Sequence, residues 1–212
     1  MYIQKPMEIE NKSMDIIDES LKDVNFEGLD LQIARRMIHT TGDVDYRHII
    51  SFKNNFSAKA LEAIKNGGTI YSDTNMIIAG VNKPALAAAS CDIITLVSDQ
   101  DLAAKAKERG TTRSLIAIEE AVHRGIRMFA IGNAPTALFR LIELIREGKC
   151  DPLFVIGVPV GFVGAAESKE ELRKVDVPQI TTVGTKGGSN VAASIINAIL
   201  YENNRQDIYA TK

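Results

Sequence analysis

The stretch Arg35-Arg36-Met37-Ile38-His39-Thr40-Thr41-Gly42-Asp43 holds the residue types in this chain best suited to chemistry. An imidazole exchanges a proton near neutral pH, with a reference pKa of about 6.5. Ile33, Ala34, Met37 and Ile38 recur at helical spacing and would face a core. Arg35 and Arg36 precede His39 by four and three residues, which puts all three on one side of that helix. Gly42 suits a helix stop. One titratable ring and two fixed cations would therefore stand at the mouth of an element, pointing away from the apolar stripe. The same ring would also serve simply by solvating the helix end and favouring its dipole, and the stretch alone does not choose.

The elements that must position this ring read as an alternation. Two helices come first, from Pro6 to about Leu21 and from Leu29 to Thr41. Short apolar, β-branched runs follow at His48–Phe52, Thr69–Tyr71, Asp92–Val97, Ile126–Ile131, Leu153–Val158 and Gln179–Val183. Helical patterns separate them at Ser57–Lys65, Asp101–Lys107, Ser114–His123, Pro135–Glu147, Ser168–Lys174 and Ser189–Tyr201. Apolar strands alternating with helices imply right-handed βαβ units and a sheet covered on both faces. The fold class predicted is α/β, a three-layer α/β/α sandwich with a mainly parallel sheet, flavodoxin-like. Residues 1–212 read as one domain, with residues 1–42 as a helical part packed on the α/β core.

Ligands of such sheets bind beyond the carboxyl ends of the strands. The segments there are Ser72-Asp73-Thr74-Asn75, Ser98-Asp99-Gln100, Gly132-Asn133-Ala134-Pro135-Thr136, Gly157-Val158-Pro159-Val160-Gly161 and Gly184-Thr185-Lys186-Gly187-Gly188-Ser189-Asn190. Such residues also suit ordinary turns. Lys186 within a glycine loop at a helix start predicts anion binding through backbone N–H groups and a charge. Arg113, just before a helix, suits a carboxylate fork. Asp73 and Asp99 suit acid/base work or, more commonly, helix capping. Neither nucleotide-binding glycine fingerprint occurs, nor a Gly-x-Ser-x-Gly elbow. His39, Asp43, Asp45 and His48 lack a recognised metal-ligand spacing, so no metal is expected.

Composition narrows the classes further. A net charge of −2 gives no basic field for nucleic acid, and no Trp with 6% aromatics leaves little for stacking on bases. Cys91 and Cys150 lie far apart without CxxC spacing, which suits a reducing, cytoplasmic setting. The charged start of the chain does not read as a signal peptide, and the apolar run Val191–Leu200 is too short to span a bilayer. No membrane partner is expected.

Six segments in register resemble one family: Glu8-Ile9-Glu10-Asn11-Lys12-Ser13, Arg36 to Asp43, Thr112-Arg113-Ser114, Ile131 to Leu138, Pro159-Val160-Gly161-Phe162-Val163, and Gly184 to Ser189. Together they resemble the precorrin-8X methylmutases, called cobalt-precorrin-8 methylmutases in the cobalt-early route. The resemblance covers essentially the whole chain. It implies an isomerase that moves a methyl group from C-11 to C-12 of a corrinoid, on a flavodoxin-like, homodimeric, cytoplasmic protein without an external cofactor. Any cobalt would belong to the substrate. It also implies His39 as the catalytic proton donor or acceptor, and substrate contacts at Ser13 and Arg36. Thr40, Arg113, Asn133 and Lys186 complete the expected substrate contacts, and Arg36, Arg113 and Lys186 would form with the glycine loops a rim for the carboxylates of a flat apolar macrocycle. The rival readings are a non-catalytic corrinoid or tetrapyrrole carrier on the same fold, and a flavin or nucleotide protein, which the missing fingerprints disfavour.

Overall fold

The computed structural model of the protein describes residues 5–210. Helices α1 (Pro6–Ser20), α2 (Gly28–Thr41) and α3 (Tyr46–Ile49) precede strand β1 (Ile50–Lys53). Then come α4 (Phe56–Lys65), β2 (Gly68–Ser72), α5 (Asn75–Gly80), α6 (Lys83–Ala88) and β3 (Cys91–Ile94). The chain continues through α7 (Gln100–Glu108), α8 (Arg113–His123), β4 (Met128–Ile131), α9 (Pro135–Arg146), β5 (Phe154–Gly157), α10 (Ala165–Arg173), β6 (Gln179–Thr182) and α11 (Ser189–Ala210).

The six strands form one sheet in the order β1-β6-β5-β4-β2-β3. β2 to β6 are parallel, and β1 joins the β6 edge antiparallel, with Ile50 opposite Thr182 and Lys53 opposite Gln179. Counted among themselves, the parallel strands run 2-1-3-4-5 across the sheet, the order of flavodoxin-type doubly wound sheets. Side chains alternate across it as a pleat requires. Met128 and Ala130 of β4 face one apolar core with Phe154 and Ile156 of β5, while Phe129, Ile131 and Val155 face the other. The first core is covered by α1, α2, α4, α5, α6 and α11, the second by α7 to α10. The three-layer α/β/α expectation is met.

Two features differ from the sequence reading. The segment between Ser72 and Cys91 contains two six-residue helices, α5 and α6, that apolar periodicity does not reveal. Side-chain caps define them: Thr74 accepts from the Ile77 N–H (3.2 Å) and Asn82 from the Ala85 N–H (3.0 Å). The first strand is antiparallel because α3 delivers the chain to the sheet at its carboxyl edge. From there β1 descends alongside β6.

Candidate active site

β2 connects to β3 on one side and β4 lies on the other, so the strand order reverses between β2 and β4. Asp73, just beyond β2, is 2% exposed at this point. Its carboxylate accepts backbone N–H bonds from Gly132 (2.9 Å), Asn133 (2.8 Å) and Ala134 (2.6 Å). Burial raises its pKa and the three donors oppose that rise. Accepting three N–H groups is the geometry of an ionised carboxylate, so Asp73 is a clamp on the β4–α9 turn and not a free acid or a cap of α5. Asp99 does act as a cap, accepting from the N–H groups of Asp101 (2.9 Å) and Leu102 (3.1 Å).

The loop after β6 is packed against the neighbouring strand ends. The Gly188 N–H donates to the Val158 carbonyl (2.9 Å), and a Cβ on Gly187 would stand 2.2 Å from that same oxygen. A Cβ on Gly132 would meet the Gly188 carbonyl at 2.9 Å. The glycines thus serve close approach of three backbones, and the Gly188 donor is spent internally. That donor is therefore not offered to an anion. Lys186 is also engaged: its ammonium meets Asp43 at 2.5 Å and lies 3.8 Å from Asp45. The bond to Lys186 lowers the Asp43 pKa and raises that of Lys186.

That ion pair ties the loop to the end of α2. Gly42 ends the helix in a left-handed turn (φ 66°), with its N–H on the Ile38 carbonyl at 2.8 Å. His39 and Thr40, in the last turn, are exposed, and the His39 imidazole makes no hydrogen bond among the described residues. The Tyr46 hydroxyl, 3.5 Å from the Gly187 carbonyl, adds a second tie. His39, Thr40 and Lys186 therefore share the carboxyl edge with the exposed side chain of Asn133. Arg113 opens α8 nearby: its neighbour Thr112 lies 3.0 Å from Thr136 of α9, hydroxyl to hydroxyl. Arg113 makes no ion pair among the described residues.

Two expected contacts are placed differently. Arg36 stacks over the Tyr201 ring, 4.6 Å from its centroid. Tyr201 lies twelve residues along α11 from Ser189, roughly 18 Å by helix rise. Arg36 is thus directed along the α2–α11 seam, and Arg35 pairs with Asp18 of α1 (2.5 Å), so neither guanidinium joins His39. Ser13 donates to the Ile9 carbonyl one turn back (2.8 Å) and borders a shallow groove with Ile9, Lys12 and Ile16. Among the described residues no cluster of three or more His, Cys, Asp or Glu side chains could hold a metal, and His48 instead approaches Asp23 at 3.8 Å.

Sequence reasoning passed over two features. One is apolar: Phe162 and Val163, after β5, are 93% and 88% exposed, with Val160, Val183 and Met76 also exposed on this edge. Pro159 to Val163 stood among the resembling segments, but nothing in it foretold exposure. The other is Lys169 of α10, wholly buried beneath the β6–α11 loop. Its helix is so rich in charge that one more lysine gives no signal. A cavity of about 530 Å³ lies at the opposite edge between Phe52 and Leu61, away from His39.

A doubly wound sheet presenting its ligand-binding edge in this way belongs to the α/β class that works on small molecules beyond its strand ends. Residues 8–202 match the family model described as precorrin-8X methylmutase. The cobalt-precorrin-8 methylmutase of Salmonella typhimurium is 42% identical over 209 residues, covering 94% of this chain and 97% of that one. The precorrin-8X methylmutase of Pseudomonas aeruginosa is 41% identical over 174 residues, covering 81% and 83%. The crystal structure of the Thermus thermophilus precorrin-8x methyl mutase superposes with a TM-score of 0.87 at 34% identity, covering 94% and 97%. The chain belongs to the precorrin-8X methylmutase family, and it is an isomerase of cobalamin biosynthesis that relocates a methyl group.

Proposed function

We propose that this protein moves the methyl group of precorrin-8 or its cobalt form from C-11 to C-12, with His39 exchanging the proton that the ring gains or loses. The observation that carries this reading is the placement of His39: exposed in the last turn of α2 and held beside the strand-end loops through the Asp43–Lys186 pair. A positioned acid or base accelerates such a step by roughly a hundred- to ten-thousand-fold. The macrocycle lies flat on the edge, its apolar face against Phe162, Val163 and Val160 and its carboxylates towards Arg113, Asn133 and Thr40. Lys186 contributes mainly through the loop it ties down. Arg36 and Ser13 contact the substrate only if the ligand or a partner extends along the α2–α11 seam and over α1.

The reaction is an internal rearrangement, so it consumes no external cofactor, and any cobalt enters and leaves with the corrinoid. The protein works as a cytoplasmic homodimer, without nucleic acid or membrane. Among the described residues no helix is long and apolar enough to cross a membrane. The exposed apolar edge gives the second copy a reason to cover the ligand.

The test is His39→Ala. Turnover should be lost while corrinoid product still binds in about one equivalent per chain. Turnover at the wild-type rate would remove His39 from the chemistry and favour a carrier.

A further inference from the structure

Lys169 has no exposed surface. Its ammonium donates to the Lys186 carbonyl (2.7 Å) and to Thr182 Oγ1 (3.1 Å). One turn on, Arg173 reaches Thr181 Oγ1 (3.3 Å) and the Thr182 carbonyl (3.5 Å). Neither cation has a carboxylate partner among the described residues. Burial, then the charge of Arg173, holds the Lys169 pKa down at about 8. An uncompensated buried ammonium is a cost to a fold, and an apolar side chain of similar length avoids it. The fold does not need this lysine to satisfy the loop, because the Thr182 hydroxyl already donates to the Lys186 carbonyl at 2.6 Å. The charge is therefore kept for something other than stability.

Its position shows what that is. Lys169 grips the backbone of Lys186, the Lys186 side chain grips Asp43, and Asp43 directly follows the glycine that ends the His39 helix. Lys186, the exposed lysine of the glycine loop, is cancelled by Asp43, whereas the charge beneath it is not. We propose that Lys169 is a positioning residue for the methyl shift. It sets, through Lys186 and Asp43, where the His39 end of α2 stands. This rests on the reading of the His39 edge as the reaction site.

The experiment is a double-mutant cycle on the full chain with Lys169→Met, Asp43→Asn and the pair. Turnover of a precorrin-8 type substrate and the urea midpoint are measured at pH 7. Lys169→Met should be at least as stable as wild type yet lose about tenfold in kcat/KM. The double variant should be no slower than the slower single one, because both cut the same chain. Losses that multiply, a Lys169→Met protein less stable than wild type or unable to fold, or wild-type turnover in Lys169→Met would each overturn the proposal. His39→Ala separates the two claims. If it is inactive while Lys169→Met is unimpaired, the positioning claim fails alone. If it is fully active, the site reading itself fails.

Discussion

Replacing Asp73 by asparagine should loosen the point where the sheet reverses. Oδ2 accepts from Asn133 and Ala134 and Oδ1 from Gly132, all within 2.9 Å. An asparagine that keeps its carbonyl oxygen in the Oδ2 position turns an NH2 group against the Gly132 N–H. One buried donor is then stranded, at about 1–3 kcal/mol, and two bonds to a charged acceptor become weaker neutral ones. Losing the buried charge returns part of that cost. The net expectation is about 3 kcal/mol, a large share of the roughly 5–15 kcal/mol that holds a domain folded. With a urea dependence of about 3 kcal/mol per molar, the midpoint should fall by about 1 M. Equilibrium urea unfolding followed by far-UV circular dichroism reads this directly. An Asp73→Asn midpoint equal to that of wild type would refute the clamp, and would mean that the three N–H groups do not depend on a carboxylate.

Three further outcomes follow from the same geometry. Arg113→Ala, which removes a cation without an ion pair among the described residues, should weaken product binding by about tenfold with little change in kcat; Lys186→Ala should lower kcat as well, because it frees the Asp43 tie. Isothermal titration and steady-state rates distinguish them, and equal effects on kcat would contradict this division. Phe162→Ser should leave the urea midpoint unchanged, since the ring is 93% exposed, yet weaken corrinoid binding measurably; unaltered binding would remove that loop from the ligand. Finally, the folded protein holds the Lys169 proton only to about pH 8, the unfolded chain to about 10.4. Between these the unfolded state binds more protons, so stability relative to Lys169→Met should rise with pH across that window and be flat below it. A flat difference throughout would show that the ammonium is not penalised by burial.

The parallel sheet was legible because its strands are short, continuous apolar runs set between amphipathic helices. Phe154 to Gly157 and Gln179 to Thr182 fall inside the segments expected for them. The helices α5 and α6 were not, since each is six residues long and defined by a single cap at Thr74 or Asn82, with no face long enough to show a period. At the site, the helix end at His39 and Gly42 was readable from local spacing alone. Where the Arg36 guanidinium ends was not legible, because helical periodicity fixes which side a residue leaves from, while Tyr201 of α11, far away in sequence, decides where it ends. The same holds for Asp73, whose partners lie some sixty residues on, and for Lys169 beneath a loop that only the folded sheet brings over it. Lys186 read as a free cation because Asp43, its partner, is separated from it by most of the chain.

The most direct test of the central claim follows the migrating methyl itself. A precorrin-8 type substrate carrying 13C in the methyl group on C-11 is incubated with the wild-type protein and with His39→Ala, and the carbon spectrum is recorded beside the visible spectrum. The wild-type protein should move the label to C-12 with a matching change of chromophore, while His39→Ala should bind the same compound and leave the label on C-11. A label that stays on C-11 in the wild-type complex, with substrate demonstrably bound, would contradict the assignment. So would migration at an undiminished rate in His39→Ala.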